Sequence, residues 1–279
     1  MISKKQPSLS RVPDVVAPQV DIIAVDQKDH QPPILSYGTV QSYFETTLTP
    51  QVSGQITEVA EGFRVGNMVK KGALLARIDD TDYTAVLAQE SANLTTAKRT
   101  LLEEEIKAKQ AAQDWRASGR NINSASDFVL RKPQLEAARA NIQSAMATEA
   151  KAKADIERTM IRAPYDAVVL ERMASLGNYA NQQQPLGKLV ATERVEVRLP
   201  LTADQAALID LPGLHQENSA RLTVTLTSAT KAGAEWQGRL MRTEPSVDPQ
   251  NQVTYVIAEV EGPYQAKPEP LVVGTFVNA

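Results

Sequence analysis

The chain has 279 residues with 42% apolar and 23% charged side chains, a formal net charge of -3 and only 5% aromatics. That length allows two or more domains, and the slight acidity with no clustered Lys and Arg argues against a nucleic-acid partner. The absence of cysteine excludes disulfides, thiolate nucleophiles and cysteine-type zinc sites. No run approaches the roughly 18 apolar residues of a membrane-spanning helix, and the start lacks the apolar core of a signal peptide.

Residues 1–14 (MISKKQPSLSRVPD) are polar and proline-bearing and read as a flexible tether. Val20 to Val25 and Ile34 to Leu48 have the β-branched and aromatic content of strands, separated by DQKDHQPP. Val52 to Asp79 (VSGQITEVAEGFRVGNMVKKGALLARID) then breaks short apolar pieces with Gly54, Gly62, Gly66 and Gly72, the pattern of tight reversals in a small all-β unit. Asp79, Asp80 and Asp82 read as favourable negative charge at the start of a helix.

From about Thr84 to Thr159 alanine, glutamate, lysine and leucine dominate, and Gly119 and Pro133 are the interruptions. Leu87, Leu94, Leu101, Ala108 and Trp115 recur every seventh residue. Leu135, Ile142, Glu149 and Ile156 resume that spacing, with Ala138, Ala145, Ala152 and Thr159 three residues on. A sevenfold repeat keeps one stripe on one helix face, as in a coiled-coil seam. The spacing predicts an antiparallel helical hairpin over 81–159, with the reversal between Asp114 and Lys132 and Pro133 starting or kinking the second helix. Arms of roughly 27 to 35 residues would reach on the order of 40 to 50 Å and project from the remainder. Two helices of an ordinary bundle are the alternative, but no other helices of comparable length exist to complete one.

Beyond the hairpin, Arg162 to Ala191 echoes the earlier glycine-punctuated stretch: Gly66, Val69, Gly72 and Leu75 align with Gly177, Ala180, Gln183 and Leu186, with Pro50 and Pro164 upstream. Two half-units split by an insertion should meet in space, each needing the other to close a core. From Glu193 the pattern alternates (Val195, Val197, Leu199, Leu201; Leu222, Val224, Leu226; Val256, Ala258, Val260), as in half-buried antiparallel strands. Thr202 to Gln205 is a capping box opening a short helix through Ile209, Trp236 to Arg242 is a further strand, and Glu244 to Gln252 reads as a turn-rich loop. Closing these strands with Ile34 to Leu48 gives a small barrel.

VSGQITEV with GNMVKKGALLARID, the hairpin, RAPYDAVV with GNYANQQQPLGKLV, and VEVRLP before the capped helix together resemble the periplasmic adaptors, or membrane fusion proteins, of the HlyD-like family, most of all those of resistance-nodulation-division (RND) efflux pumps. The resemblance spans Val20 to Ala279. It implies a mainly β, elongated multidomain chain: a partial membrane-proximal strand region at 15–31, a β-barrel from 32–48 and 193–279, a split lipoyl-like sandwich from 49–80 and 160–192, and the coiled-coil hairpin at 81–159. It also implies a non-enzymatic periplasmic link between an inner-membrane RND-type transporter and a TolC-like outer-membrane channel, with self-association as a trimer or hexamer and association with the inner membrane through an anchor that this chain lacks. The chain departs from the family at Ala167, where glycine is usual, and stops at GTFVNA, where a final barrel strand would still be running, as a trimmed chain would. At the hairpin tip, Arg116, Arg120, Ser126 and Asp127 are the candidate partner-binding residues, although Ser118 and Arg120 stand where the family places a leucine. Gly54, Gly66, Gly72, Pro164 and Gly177 are the expected structural positions.

No P-loop, dinucleotide fingerprint or nucleophile elbow supports an enzyme, and no cofactor or resident metal is expected. His30 and His215 lie in polar connections without a second ligand. Met68, Met146, Met160, Met173 and Met241 are read as core fillers rather than as soft-metal ligands. Three other readings remain: an adaptor of an ABC-type exporter, a lipoyl or biotinyl carrier, and a coiled-coil spacer without partners. A carrier would present its lysine on the turn between the halves, whereas Lys70 and Lys71 lie inside the first half. The exported substrate is not written in the sequence.

Overall fold

The structure is a computed structural model that describes residues 33–209, 211, 222–228, 231, 233–267 and 269–279. The expected tether, the strand region at 15–31, His30 and His215 lie outside these residues. Residues Leu35–Ala279 form one compact unit, and it is mainly β, with two long helices.

One half-unit supplies β2 (Glu45–Leu48), β3 (Gly54–Val59), β4 (Met68–Val69) and β5 (Leu74–Ile78), and the other supplies β6 (Met160–Arg162), β7 (Ala167–Arg172), β8 (Tyr179–Ala180) and β9 (Gly187–Ala191). They build two four-stranded sheets, ordered β2-β9-β7-β4 and β6-β5-β3-β8. Each sheet therefore takes its two central strands from one half and both edge strands from the other. Val69 stands opposite Ala167, and Ala180 stands opposite Gly54. The Gly66 N–H donates to the Val169 carbonyl at 2.8 Å while the Gly177 N–H donates to the Ile56 carbonyl at 2.9 Å. The two turns are the same turn used twice, with φ of +85° at Gly66 and +83° at Gly177, a region in which a Cβ is strained. Exchanged edges explain why neither half can close a core alone. The shared core includes Ile56, Phe63, Leu75, Ile78, Val169 and Leu189.

Gly54 and Ala167 occupy matching positions in this exchange, and their difference has a packing cause. A Cβ on Gly54 would lie 2.6 Å from Ile78 Cγ2. The pair Ile56↔Ile78 in one sheet matches Val169↔Leu189 in the other, and a leucine carries no branch at Cβ. Ala167 is fully buried in a strand and is not among the positive-φ residues. Gly54→Ala should destabilise by about 1–3 kcal/mol through overpacking. In an Ile78→Leu background the same change should cost less by about 1 kcal/mol, as contacting sites couple on this scale. Urea unfolding of the four proteins in the cycle measures the coupling, and strict additivity would refute the cause.

A closed barrel follows the order β1-β10-β13-β12-β11-β14, built from β1 (Tyr37–Ser42), β10 (Arg194–Thr202), β11 (Thr223–Ser228), β12 (Glu235–Val247), β13 (Val253–Glu261) and β14 (Phe276–Asn278). Val195, Val197, Leu199, Leu201, Leu226, Ala258 and Val260 fill its interior, as their alternation predicts. On the outer face Glu196 stands directly opposite Glu259, a like-charge pairing that destabilises unless each carboxylate finds a cation. Arg242 makes two hydrogen bonds to Glu196, at 2.8 and 2.9 Å, and Arg194 pairs with Glu259 at 3.4 Å.

Several strand expectations need correction. Ile34 to Leu48 is not one barrel run: the chain leaves the barrel after Ser42, and Glu45–Leu48 pairs with β9 of the sandwich. The switch falls at Tyr43 and Phe44, whose rings meet edge to face at 4.5 Å. Tyr43 lies under the Arg194 guanidinium, and Phe44 stacks on Tyr165, so each ring is held by a different body. Glu244 to Val247 is not loop but the end of β12. Its ladder to β13 is irregular between Thr243 and Val247, which accommodates Pro245, and Arg198 clamps Glu244 at 2.6 and 2.7 Å. GTFVNA does not leave an open edge, because β14 pairs with both β1 and β11. The capping box at Thr202 forms as expected, but the helix α3 it opens covers only Ala203–Ala206. Four of the five methionines read as core fillers are not: Met68, Met146, Met173 and Met241 are exposed, and Met160 is half-buried.

Between β5 and β6 stand α1 (Thr81–Ala117) and α2 (Lys132–Thr159), of 37 and 28 residues. Leu94, Ala138, Ala152 and Thr159 are buried where the sevenfold spacing places them, and Ser91 donates across the pair to Glu149 at 2.9 Å. Pro133 stands in the first turn of α2, where its missing N–H costs nothing. At the base, Asp79 Oδ1 accepts from the Thr81 backbone and hydroxyl, and these bonds hold its carboxyl below the usual range. The Tyr83 hydroxyl fastens the first turn of α1 to the Ser53 carbonyl at 2.7 Å.

Candidate partner-docking site at the hairpin tip

The reversal between α1 and α2 is built by local hydrogen bonds rather than by burial. Helix α1 persists to Ala117, further than the reversal expected from Asp114, and closes with Ser118 and Gly119 N–H groups donating to the Asp114 and Arg116 carbonyls. Gly119, at φ +72°, turns the chain away. Asn121 Oδ1 accepts from the Asn123 N–H and starts a single 3-10 turn at Ile122–Ser124. The Trp115 indole N–H donates to the Asn121 carbonyl at 3.0 Å. Trp115 thus anchors the loop in addition to ending the heptad stripe.

The expected tip residues fall into two groups. Arg116 is exposed in the last turn of α1. Arg120 does not share a helix face with it, because the helix has ended; its guanidinium lies over the Trp115 ring at 4.8 Å instead. Asp127 pairs with Lys132 at 2.6 Å, and the Ser126 and Asp127 carbonyls accept from Leu130 and Lys132. Ser126 and Asp127 therefore shape the start of α2, while Arg116 and Arg120 present charge. The sequence reading missed Phe128, which is 73% exposed, and its neighbour Val129. The run of three adjacent apolar residues, Phe128, Val129 and Leu130, within a mostly polar reversal was the available signal.

A cross-hairpin ion pair also escaped notice. Arg131 enters α2 at φ +55°, rare for a side chain of this size, and donates through Nε and Nη2 to Glu104 Oε2 at 3.1 and 2.6 Å. Lys107 takes the other carboxylate oxygen at 2.8 Å. Hydrogen bonds from Lys107 and Arg131 hold the Glu104 carboxyl below its ordinary value of 4.5. A depressed folded-state pKa stabilises fully above the unfolded value and loses that contribution as the pH falls through the folded one. The helical signal of the hairpin should therefore melt earlier as the pH drops below about 4.5. Glu104→Gln should flatten that acid dependence in far-ultraviolet circular dichroism; an unchanged profile would remove Glu104 from the account.

The five structural positions separate by mechanism. Gly66, Gly72 and Gly177 hold positive φ, Gly54 makes room for Ile78, and Pro164 lies between the buried Ala163 and the sheet that begins at Ala167. Gly187 and Gly38 were not singled out. A Cβ on Gly187 would meet the Glu171 carbonyl oxygen at 2.6 Å and the Phe63 ring at 2.7 Å, and one on Gly38 would meet the Arg198 carbonyl oxygen at 2.5 Å.

Two interlocked half-sandwiches, a helical pair inserted at their crossover and an adjoining barrel define the class: the architecture is that of the membrane fusion proteins. Residues 45–190 match the CzcB-like, barrel-sandwich hybrid domain, and the chain belongs to that family. Uncharacterized protein YdhJ of Escherichia coli (strain K12) is 31% identical over 146 residues, 52% of this chain and 49% of YdhJ. Multidrug resistance protein MdtA of E. coli O6:H1 is 25% identical over 266 residues, 95% of this chain and 61% of MdtA. The chain thus spans about half to three fifths of the length of these curated relatives. Among solved structures, MacA from Actinobacillus actinomycetemcomitans aligns with a TM-score of 0.63 at 20% identity, covering 88% of this chain and 76% of that one. The membrane fusion protein Spr0693 from Streptococcus pneumoniae R6 aligns at 0.59 and 20% identity, covering 88% and 97%. At such identities these structures establish a shared fold.

Proposed function

We propose that the chain is a non-enzymatic periplasmic adaptor that links an inner-membrane RND-type efflux transporter to a TolC-like outer-membrane channel and self-associates as a trimer or hexamer in the assembled pump. The observation that carries this reading is the helical pair at the crossover of the sandwich. At 1.5 Å per residue, the 37-residue α1 is about 55 Å long, and its far end carries exposed arginines and an exposed phenylalanine that no core requires. A coiled-coil arm on a sandwich can contact one partner at its tip while the β modules contact another. The family and the multidrug-resistance name of MdtA favour efflux as the process served. No helix among the described residues is long and apolar enough to cross a membrane, so attachment to the inner membrane is assigned to an anchor outside them.

In this reading 45–80 and 160–192 are the sandwich, 81–159 the arm, and 193–279 with the residues up to Ser42 the barrel. Mild crosslinking of the full-length protein in cells, followed by affinity capture, should recover both a proton-driven RND transporter and an outer-membrane channel. Recovery of an ABC-type ATPase in place of the RND protein would redirect the assignment, and recovery of neither membrane partner would defeat it.

A further inference from the structure

A cavity of about 540 Å³ lies where the sandwich meets the barrel, lined among others by Phe44, Met68, Tyr165, Thr192, Tyr264 and Gln265. That volume falls within the roughly 300–1,000 Å³ of small-molecule sites. Its apolar wall is flat: Phe44 and Tyr165 stack with ring centroids 5.8 Å apart and planes 29° from parallel. Met68, 62% exposed, adds a thioether, a group that packs favourably on rings. The hydroxyls of the wall are already committed. Tyr165 donates to Thr46 Oγ1 at 2.7 Å, Thr192 donates to the Asp166 carbonyl at 3.1 Å, and Tyr264 is bonded to the Val273 backbone. The Gln265 side-chain amide, by contrast, has no hydrogen-bond partner among the described residues.

The charges around this cavity cancel. Two cations, Lys70 and Lys71, stand with two carboxylates, Asp166 and Glu193. Asp166 accepts from the Lys70 ammonium and from the Lys71 backbone N–H, at 2.8 Å each, and the charges of both lysines act on its carboxyl. Just outside the lining, Arg194 lies 3.4 Å from Glu193 and 3.4 Å from Glu259. An ion entering this cleft would give up hydration without meeting an unmatched opposite charge, so the balance selects against charge of either sign. What the cleft offers is ring surface and one free amide, whose carbonyl and NH₂ complement the adjacent N–H and C=O of a lactam or carboxamide. We infer that it is a binding site for an uncharged planar aromatic compound bearing such a group, with Phe44, Tyr165 and Tyr264 packing on the rings and Gln265 pairing with the amide. The site joins residues of β4, the Tyr43–Phe44 crossover, the start of the second half-sandwich and the segment after β13, so an occupant bridges sandwich and barrel. Binding needs neither transporter nor channel, and its failure would leave the adaptor reading intact.

The test is a titration of the isotope-labelled chain, followed in two-dimensional amide spectra, with quinolin-2-one, a flat neutral lactam. Quinoline-2-carboxylate and 1-methylquinolinium keep the bicycle and add one negative or one positive charge. The expected result is saturable one-to-one binding of quinolin-2-one with a Kd on the order of 1 mM or tighter, as suits a ligand of this size. The shifted resonances should centre on Phe44, Met68, Thr192 and Gln265. Binding of either ion should be weaker by roughly fivefold or more, because each must be desolvated without a partner. Gln265→Leu should weaken quinolin-2-one by a similar factor, roughly what one net hydrogen bond supplies. Gln265 is exposed, so the variant keeps its fold, and its melting temperature verifies this. Gln143→Leu, at an exposed position on α2, is the control and should bind as wild type does. No saturable binding, equal affinity for the lactam and either ion, an unaltered Kd in Gln265→Leu, or shifts centred elsewhere would each overturn the assignment.

Discussion

Phe63→Ala is expected to lower unfolding stability by about 3–5 kcal/mol, the range for removing a buried aromatic ring. Phe63 is fully buried in the sandwich core, although it lies outside any strand, in the connection between β3 and β4. It is held there because the Phe63 N–H donates to the Ala60 carbonyl at 3.0 Å and because Gly187 leaves its ring room. Domains of this kind have only about 5–15 kcal/mol in hand, so the variant should melt many degrees lower and lose cooperativity in near-ultraviolet circular dichroism. The helical far-ultraviolet signal should persist to higher temperature than the sandwich signal, since the α1–α2 seam does not contain Phe63. Gly187→Ala acts on the same contact from the other side and should cost about 1–3 kcal/mol by overpacking. Pairing it with Phe63→Leu should not restore stability, because the Glu171 carbonyl oxygen still lies 2.6 Å from the new Cβ. A Phe63→Ala protein that melts within a degree or two of wild type would show that the ring is not central to the core.

That contact also marks where sequence reasoning stops. The heptad spacing placed Leu94, Ala138, Ala152 and Thr159 correctly because a helical seam is a one-dimensional pattern, with each burial set by residues seven positions away in the same segment. The doubled turn was legible for a similar reason, since φ near +85° leaves a local mark in the form of Gly66 and Gly177. The exchange of edge strands left no such mark. β4 and β8 are two residues each, too short to show alternation, and their partners lie roughly a hundred residues away. Gly187 and Gly38 were missed because their need for a bare Cα comes from a neighbouring strand and not from their own backbone angles. Glu104 reads as one more charge on a solvated helix until α2 returns Arg131 to it. Within the tip, local pattern located the reversal but not the path of Arg120: a helix three residues longer would have set it on the face of Arg116, whereas the chain turns at Gly119 and lays it on Trp115.

Reversing both tip arginines, Arg116→Glu with Arg120→Glu, is expected to abolish efflux while leaving the fold nearly intact. Arg116 is exposed, and its loss removes at most a favourable interaction with the C-terminal end of α1, worth about 0.3–1 kcal/mol. Arg120 adds an exposed cation–π contact with Trp115 of about 0.5–1 kcal/mol. The Asn121 bond to the indole, the 3-10 turn and the Arg131 bridge to Glu104 all remain, so the loop keeps its path and the melting temperature should fall by only a few degrees. At a docking surface the same change replaces two cations with two anions, and like-charge juxtaposition against an acidic or carbonyl-rich partner costs several kcal/mol. Captured channel should drop to background while captured transporter is unchanged, which separates loss of tip docking from loss of the protein. Arg116→Lys with Arg120→Lys should retain most function if charge is what matters, and Phe128→Ala should weaken channel capture without altering the charge. A double Glu variant that melts like wild type and still supports full efflux would remove the arginines from the docking surface and leave Phe128 and Val129 as the residues to examine there.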